Sequence, residues 1–422
     1  MLDITRHPCF NVAAKGSCGR VHLPVAPKCN ILCNFCNRKY DCVNESRPGV
    51  TSTVLTPSQS VAYLRQVLAA EPRLTVAGIA GPGDPFANPV QTLETLRLIR
   101  QEFPELLLCL ASNGLGLPPY LDELAELGVS HVSVTVNAVD PEIGQKIYAW
   151  VRDGKVIYRG AAAAGHLLSR QLAAIEGLKA RDIIVKVNTI IIPGVNDSHV
   201  PTIAAAMADR GVDILNCMPL YPTGGTPFAN IPEPTPVQMA AIQAEAAKFL
   251  PQMRHCTRCR ADAVGLLGED RTDELRSCLV GCAGKVPDLA ERPYVAVATR
   301  EGILVNQHLG EAGLLQIWAP NGQGFRMIEE RPAPPPGGGV ERWEALAKIL
   351  SDCRAVLVNA LGSTPQEILE RHGIMPVAME GFIEQGLEVI YRGGDLNALK
   401  KRRRGLGGCC SGGALGPGGG CM

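Results

Sequence analysis

The sequence predicts an α/β protein of two domains, the first of them a partial or complete β/α barrel. Its length of 422 residues exceeds what one hydrophobic core usually spans. From roughly residue 23 to residue 250, short apolar runs alternate with amphipathic stretches, an order typical of strands and helices that build a parallel sheet. A second series of strand and helix patterns begins near residue 293, which indicates a separate small α/β domain.

The predicted strands of the barrel are apolar or β-branched runs without a helical period. They lie at 23–26, 75–80, 106–111, 131–136, 183–191 and 214–218, and the helical patterns at 57–70, 89–102, 118–127, 165–180, 201–210 and 235–249. Active sites of such barrels lie at the C-terminal ends of the strands. Polar segments follow strands in this way at Gly81-Pro-Gly-Asp84, Ser112-Asn113-Gly114 and Asn137, so we expect the site there.

The domain division follows these patterns. We place the barrel and its terminal extensions at 1–262, a linker at 263–292, the small α/β domain at 293–393 and a tail at 394–422. The small domain should contain strands at 294–299, 302–306, 314–319 and 355–359, and helices at 340–350 and 365–371. The tail is rich in glycine and cysteine and carries a basic run at 400–404, a composition that predicts disorder.

Charge and hydropathy limit where the protein works and what it binds. The chain has 41 basic and 41 acidic residues, whereas nucleic-acid-binding domains usually carry a basic excess or patch, so we expect no nucleic-acid partner. No segment approaches the roughly 20 unbroken apolar residues of a membrane span, and the N-terminal segment does not resemble a signal peptide. We therefore expect a soluble, cytoplasmic protein without a membrane partner. In that compartment, its 16 cysteines indicate metal binding or catalysis rather than disulfides.

A loop of three cysteines, Cys29-x3-Cys33-x2-Cys36, carries the strongest chemical signal. A cubane iron–sulfur cluster needs four ligands, so three thiolates leave one iron open. The open iron could bind the amino and carboxylate groups of S-adenosylmethionine, and Phe35 could pack against the adenine or the cluster. The alternative is a zinc site completed by Cys42 or by Cys256/Cys259, although zinc sites usually pair two C-x2-C units and this spacing fits them poorly.

Further candidate metal ligands are grouped around this loop or follow the last barrel helix. They are His7, Cys9, His22, Cys42, Cys109 and the C-x2-C pair Cys256 and Cys259. The pair is a strong metal-ligand pattern. Cys109, in an apolar strand, is most simply a buried small hydrophobe, and a single histidine is more often a polar contact than a ligand. Together with the loop, these residues could hold more than one further cluster.

The three-cysteine loop resembles the signature of the radical S-adenosylmethionine superfamily. In that superfamily a [4Fe-4S] cluster reduces S-adenosylmethionine to methionine and a 5′-deoxyadenosyl radical, which implies catalytic roles for Cys29, Cys33 and Cys36. The segment Gly81-Pro-Gly-Asp84 stands where the superfamily has a Gly-Gly-Glu-Pro-like turn that holds the methionine amino group; Asp84 is one methylene shorter than the usual glutamate. The candidate contacts to S-adenosylmethionine are Gly81, Gly83, Asp84, Asn113, Thr135, Val187 and Asn188.

Several separate blocks, between about residues 6 and 265, also resemble the NifB family of nitrogenase cofactor biosynthesis proteins. The blocks are His7-Pro-Cys9, Gly19-Arg-Val-His22, Asp41-Cys42-Val-Asn-Glu45-Ser-Arg47 and Cys256-Thr-Arg-Cys259-Arg-Ala-Asp262. That family fuses two [4Fe-4S] substrate clusters, with a carbide from a S-adenosylmethionine methyl group and an added sulfur, into the [8Fe-9S-C] cofactor precursor. The resemblance implies that the substrate clusters are held by Cys9, His22, Cys42, Cys109, Cys256 and Cys259. Which residue holds which cluster stays open.

Two further assignments follow from the same segments. Glu45 and Arg47 could form a surface ion pair, or Glu45 could handle a proton near the methylated sulfide, as a tuned carboxylate can. The region 293–393 resembles the NifX/NafY-like cofactor carriers, which have an RNase H-like α/β fold. That resemblance implies transient holding of the finished cluster, with His308 or Cys353 as candidate ligands.

The sequence thus predicts a radical S-adenosylmethionine enzyme, of lyase or transferase type, that transfers a methyl group, inserts the carbide and fuses the clusters. Its expected partners are cluster donors, carrier or scaffold proteins of nitrogenase assembly and an electron donor such as a ferredoxin. Two alternatives remain: another radical maturase with auxiliary clusters, or a non-catalytic cluster scaffold. The open iron argues against the scaffold, and the His/Cys blocks with the carrier-like domain favour the first function over the maturase.

Overall fold

The computed structural model describes residues 3–44, 46–47, 49–283, 292–322 and 324–392. Glu45, the end of the expected linker and the tail at 394–422 lie outside the described residues. Short 3-10 helices occur at Ile4–Arg6, Val12–Ala14, Pro85–Ala87, Pro118–Tyr120, Asp197–His199 and Leu309–Glu311.

The first part of the chain alternates strands and helices, as its sequence predicts. Its strands are β1 (Gly19–His22), β2 (Ile31–Cys33), β3 (Leu74–Ile79), β4 (Leu107–Ser112), β5 (Val129–Thr135), β6 (Tyr148–Asp153), β7 (Val156–Tyr158), β8 (Ile184–Ile191), β9 (Ile214–Pro219), β10 (Val264–Leu266) and β11 (Glu269–Asp270). Its helices are α1 (Pro57–Ala70), α2 (Pro89–Glu102), α3 (Leu121–Glu126), α4 (Pro141–Ile147), α5 (Gly160–Lys179), α6 (Val200–Ala208), α7 (Pro236–Ala246) and α8 (Arg276–Ala283).

An eight-stranded sheet, with the order β11-β10-β1-β3-β4-β5-β8-β9, carries this part of the chain. The six strands from β1 to β9 in this order run parallel, and β10 and β11 are antiparallel. The terminal strands β11 and β9 do not pair with each other among the described residues, so the barrel is partial. This arrangement confirms the predicted fold class and brings the C-terminal ends of the parallel strands to one edge.

Several local expectations differ from the structure. The first strand is β1, Gly19–His22, rather than 23–26, where an isolated bridge joins Ala26 to Pro82. Part of the expected linker instead forms β10, β11 and α8, which pack on the sheet and on α1. These strands are only two or three residues long, too short to show a periodic pattern. The hairpin β6–β7 was not predicted, although Asp153-Gly154 is a known turn signal.

The second part of the chain has its own sheet and its own two hydrophobic clusters. Its elements are β12 (Tyr294–Val297), β13 (Leu304–Val305), β14 (Leu314–Asn321), β15 (Gly324–Pro332), α9 (Gly339–Ile349), β16 (Cys353–Val358), α10 (Ser363–Arg371), β17 (Met375–Ala378), β18 (Gly381–Phe382) and α11 (Ile383–Arg392). The order β15-β14-β12-β16-β17, antiparallel from β12 to β15 and parallel from β12 to β17, agrees with the expected RNase H-like fold.

The two parts touch beside the three-cysteine loop. The ammonium of Lys28 lies 2.6 Å from the carboxylate of Glu367, and Gln91 donates to Glu370 at 3.1 Å. The side chains of Lys28 and Glu367 are 55% and 41% exposed, so this ion pair adds little stability. A cavity of about 510 Å³ lies at this contact. Among the described helices, none is both long and apolar enough to cross a lipid bilayer.

Candidate active site and substrate cavity

The three-cysteine loop is anchored by strand β2, whose last residue is Cys33. Strand β2 pairs with β6 in antiparallel register, with Cys33 opposite Tyr148. The backbone N–H of Cys36 donates to the carbonyl of Cys33 at 3.0 Å, and Asn34 donates to Ile147 at 2.8 Å. The loop is therefore a tight turn fastened to a hairpin rather than a free connection.

The loop opens into a pocket at the C-terminal edge of the sheet, which we call the outer pocket. The sequence-predicted residues that line it are Cys29, Cys33, Cys36, Cys42, Gly83, Asp84, Asn113 and Thr135. Gly81 and Val187 do not line it, and Asn188 lies elsewhere. Val187 is fully buried in the main hydrophobic core because side chains alternate along β8.

Gly83 holds the turn after β3 against the cysteine loop. Its N–H donates to the carbonyl of Ala26 at 2.6 Å, and the N–H of Asp84 donates to Lys28 at 2.8 Å. A Cβ at position 83 would collide with the carbonyl of Lys28. The glycine is therefore required by the close approach of two backbones, in addition to any approach of a ligand.

Asp84 uses its carboxylate to build the pocket wall. The carboxylate accepts from the N–H of Asn113 at 2.6 Å, from the N–H of Phe86 at 2.9 Å and from the hydroxyl of Ser112 at 3.0 Å. Burial raises the pKa of Asp84, and these hydrogen bonds act against that rise. The carboxylate thus ties the β3 turn to the end of β4, so its effect on a bound ligand is one of positioning.

The Asp84→Asn variant should bind S-adenosylmethionine about tenfold more weakly, because an amide group would face the N–H of Asn113 with a donor and leave it unpaired. The KM for S-adenosylmethionine in 5′-deoxyadenosine formation measures this effect. Asp140→Asn is the matched control, since exposed Asp140 also accepts from a backbone N–H, that of Glu142 at 2.8 Å, but does not line the pocket. An unchanged KM in Asp84→Asn would contradict the positioning role.

The thiols of the loop are protonated in the absence of a metal, and they are placed to bind an iron–sulfur cluster. Burial raises the pKa of Cys33 well above its usual value, burial and the nearby Asp84 raise that of Cys29 to about 11, and burial raises that of Cys36. Without a cation the thiols hold their protons, and iron would displace those protons on binding. Three thiols on one turn, one buried and two half-buried, beside a polar pocket wall, therefore fit a [4Fe-4S] cluster with one open iron.

A second space, the inner cavity, lies inside the partial barrel and adjoins the outer pocket at Asn44 and Ala111, which line both. The sequence-predicted candidate ligands that line the inner cavity are His7, Cys9, His22, Cys109, Cys256 and Cys259. They come from the N-terminal segment, from β1, from β4 and from the segment before β10. Cys42 lines the outer pocket instead, so the two groups of ligands meet at Asn44.

The tautomer and the neutral charge of His22 suit a metal ligand. Its Nδ1 lies 3.0 Å from the carbonyl oxygen of Arg260. Because a carbonyl only accepts, Nδ1 carries the proton and Nε2 keeps its lone pair. Burial lowers the pKa of His22 to about 4, with the charge of Arg20 acting in the same direction, so the ring is neutral at pH 7. A carbonyl that fixes the tautomer is the usual outer partner of a ligating histidine.

N–H donors lie beside several of the cysteine sulfurs. The guanidinium of Arg20, which is 1% exposed, donates to Cys259 Sγ at 3.0 Å and also to the carbonyls of Gly265 and Leu266. Such donors favour thiolate over thiol and weaken the ligand field of a bound iron. The asparagine amides act likewise at longer range: Asn113 lies 3.8 Å from Cys29, Asn216 lies 3.5 Å from Cys256, and Asn44 lies 3.7 Å from Cys42 and 4.0 Å from Cys33.

The segment between Cys256 and Cys259 adopts an unusual backbone. Arg258 has a φ of 50°, a left-handed conformation that is rare for a side chain of this size. Its guanidinium donates to the carbonyl of Val43 at 2.7 Å and lies 4.4 Å from the centre of the Tyr221 ring. Arg47 in turn donates to the carbonyl of Arg258 at 3.0 Å. These contacts lock the C-x2-C turn to the segment that carries Cys42.

Known proteins show the same organisation. Residues 23–207 match the radical SAM superfamily, and residues 291–393 match the family described as dinitrogenase iron-molybdenum cofactor. The FeMo cofactor biosynthesis protein NifB of Chlorobaculum tepidum is 55% identical over 404 residues, which cover 95% of each chain. NifB of Klebsiella pneumoniae is 41% identical over 403 residues, 88% of this chain and 86% of the relative. The chain belongs to the NifB family.

NifB membership confirms the resemblance carried by the sequence blocks, and the radical SAM match makes the barrel part of an enzyme that uses S-adenosylmethionine and a [4Fe-4S] cluster. Among solved structures, methylornithine synthase is similar at a TM-score of 0.39 and 15% identity, over 55% of this chain and 63% of that chain. A likeness at that level carries no argument about chemistry.

The zinc alternative requires ligands that converge on one ion. Among the described residues, no group of three or more His, Cys, Asp or Glu side chains could hold a single metal ion. The predicted cysteine ligands instead line two adjoining spaces. This spread suits cubane clusters better than zinc, because each thiolate of a cubane binds a separate iron.

Several other residues are placed away from both spaces. Cys217 is buried and lies 3.4 Å from the Gln252 side chain, as expected for a small core residue. Cys353, the other candidate ligand of the second domain, is fully buried in a core cluster, a position that does not suit transient binding of a cluster. His308 Nδ1 accepts from the N–H of Gly310 at 3.0 Å, which leaves the proton on Nε2 and does not suit a ligand.

Proposed function

We propose that this NifB-family enzyme fuses two [4Fe-4S] substrate clusters into the [8Fe-9S-C] precursor of the nitrogenase cofactor, with a carbide drawn from a S-adenosylmethionine methyl group. The observation that supports it best is the inner cavity, where Cys9, His22, Cys109, Cys256 and Cys259 meet from separate segments of the chain. The cavity adjoins the outer pocket, so a methyl group or radical made in one space can reach a cluster in the other.

The outer pocket supplies the radical. Cys29, Cys33 and Cys36 would hold the resident cluster, and that cluster would supply the electron for reductive cleavage of S-adenosylmethionine. Asp84 and Asn113 would position the substrate, as their hydrogen bonds shape the wall. Further contacts from Gly81, Gly83, Thr135, Val187 and Asn188 stay predictions, and Val187 could contribute only its backbone because its side chain is in the core.

Mixed ligation suits a cluster that must later leave. A neutral imidazole such as that of His22 is a weaker donor than a thiolate, and Arg20 withdraws electron density from Cys259. We therefore assign the inner-cavity residues to transient substrate binding rather than to a permanent centre. Cys42 would serve at the junction of the two spaces. Glu45, which lies outside the described residues, stays the proposed proton carrier.

The second domain and other proteins complete the proposed cycle. The domain at 293–393 would receive the fused product beside the loop, where Lys28 and Glu367 join the two parts. A ferredoxin-like electron donor, cluster donors and carrier or scaffold proteins of nitrogenase assembly would act as partners. We place this work in the cytoplasm, where thiols stay reduced.

Anaerobic reconstitution with iron and sulfide tests the proposal. The account predicts about twelve irons per chain, from three four-iron cubanes. Reduced protein given S-adenosylmethionine should then release both 5′-deoxyadenosine and S-adenosylhomocysteine, because one molecule provides the radical and another the methyl group. Four irons and no S-adenosylhomocysteine would contradict it.

Removal of the second domain should leave the chemistry intact. A chain that ends at Ala283 keeps both hydrophobic clusters of the barrel, both spaces and all the proposed ligands. We expect precursor formation by the purified truncated protein to stay within about twofold of the full chain, because contacts across exposed ion pairs are weak. Loss of precursor formation, with the clusters still bound, would show that the domain takes part in the reaction.

A further inference from the structure

His7 lies on the wall of the inner cavity, two residues before the proposed ligand Cys9. Its side chain is 2% exposed, and its Nε2 finds no hydrogen-bond partner among the described residues. A buried nitrogen without a partner costs free energy, so its presence in a cavity wall points to a ligand that satisfies it.

The tautomer of His7 is fixed by its own backbone turn. The N–H of Cys9 donates to His7 Nδ1 at 3.2 Å. Because Nδ1 accepts, the ring proton is on Nε2, which is therefore a donor. His22, on the same cavity, has the opposite tautomer, with its proton on Nδ1 and a free lone pair on Nε2. His22 can therefore bind iron through Nε2, whereas His7 can donate a hydrogen bond from its Nε2–H.

The ring of His7 is held in place by its neighbours. Its centroid lies 4.7 Å from that of Phe10 and 4.4 Å from that of His131. The ammonium of Lys186 lies 5.0 Å from the Phe10 ring centre and also lines the cavity. This wall therefore presents a fixed N–H donor next to a positive charge, a combination that recognises an anion.

We propose that His7 is a positioning residue that donates its Nε2–H to a sulfide of an iron–sulfur substrate cluster bound in the inner cavity. The inference rests on the proposed function, since it requires a cluster there. Sulfides of a thiolate-ligated cluster carry negative charge and accept N–H hydrogen bonds, which raise the reduction potential of the cluster. His7 would thus hold the substrate without forming a bond to iron that must later break.

Two variants distinguish the role of the Nε2–H donor of His7 from that of its Nδ1, which accepts from the Cys9 N–H. His7→Asn keeps an oxygen that can accept from the Cys9 N–H, as Asn11 accepts from Ala13 in this chain at 3.1 Å, but lacks the group at Nε2. His7→Gln reaches the Nε2 position with an N–H and gives up the acceptor near the backbone. Both are made in the full-length chain with Cys29, Cys33 and Cys36 changed to alanine, so that the clusters that remain are those of the proposed substrate sites.

We measure the midpoint potentials by redox titration followed by electron paramagnetic resonance, and the rate at which an iron chelator extracts iron. The inference predicts that His7→Asn lowers one midpoint potential and speeds iron loss from one cubane about tenfold, while His7→Gln stays close to the parent. The reverse order, with His7→Gln impaired and His7→Asn normal, would show that the ring only shapes the turn. Two variants equal to the parent would likewise overturn it.

Failure of the proposed function gives a different result. In that case the parent protein, with the three loop cysteines removed, holds no further cluster after reconstitution, and the role of His7 falls with it. Thermal unfolding of the apoproteins, followed by circular dichroism, checks that the two His7 variants fold alike. The comparison of their potentials then depends on the substituted side chain.

Discussion

The Cys33→Ala variant should form no 5′-deoxyadenosine from S-adenosylmethionine above background. Cys33 ends strand β2 and is 3% exposed, between Cys29 and Cys36 on the same pocket wall. Removal of one of three thiolates leaves two ligands for the resident cluster, which is then lost or cannot keep a single open iron. Chromatographic assay of 5′-deoxyadenosine in reduced, reconstituted protein measures the loss.

The iron content of the same variant separates the two spaces. It should fall from about twelve to about eight irons per chain, because the inner cavity keeps its own ligands. Cys217→Ala is the matched control: that cysteine is also buried on a strand but lies in the main hydrophobic core, so both iron content and activity should remain. A Cys33→Ala protein that still cleaves S-adenosylmethionine would refute the assignment of the loop.

The Cys109→Ala variant should keep the resident cluster but lose nearly all precursor formation. Cys109 lies on β4 and is only half-buried, because its side chain faces the inner cavity rather than the core. Loss of this thiolate removes a proposed ligand of one substrate cluster, so we expect about eight irons per chain and precursor formation at least a hundredfold lower. Iron analysis and transfer of the product to an apo-nitrogenase assay measure the two effects.

Cys109→Val tests whether packing explains the result. Valine restores an apolar side chain of similar volume, so a cysteine that merely fills space would be replaced without loss. The ligand assignment predicts that valine is as damaging as alanine, while 5′-deoxyadenosine formation by the outer pocket continues in both variants. Precursor formation near the wild-type rate in Cys109→Val would contradict the ligand assignment and show that Cys109 only fills space in the core.

The sequence predicts the metal ligands better than the residues that contact and position those ligands. The three loop cysteines and the pair Cys256 and Cys259 are visible because their ligand spacing is local, and the structure gathers the pair with Cys9, His22 and Cys109. Arg20 could not be assigned in this way. Its contact with Cys259 joins residues 239 positions apart, and no spacing rule connects them.

The roles of the asparagines and of the glycine in the β3 turn also depend on contacts that only the fold creates. Asn44 and Asn216 are ordinary polar residues in the sequence, and only the fold brings their amides toward cysteine sulfurs. The sequence predicts Gly83 as a contact to S-adenosylmethionine, but the structure shows that the carbonyl of Lys28 already requires a glycine there. Long periodic elements such as α1 and α2 were predicted with their full bounds, since proline at the first turn and amphipathic spacing mark them.

The fate of the methyl carbon tests the central claim most directly. S-adenosylmethionine labelled with carbon-14 in its methyl group is given to the reduced, fully reconstituted protein, and the label that elutes with protein-bound iron is counted after gel filtration. The account predicts about one labelled carbon per precursor cluster, in protein that has also released S-adenosylhomocysteine, and none in Cys109→Ala. Label recovered only in methionine and unreacted S-adenosylmethionine, with both spaces filled by clusters, would contradict it.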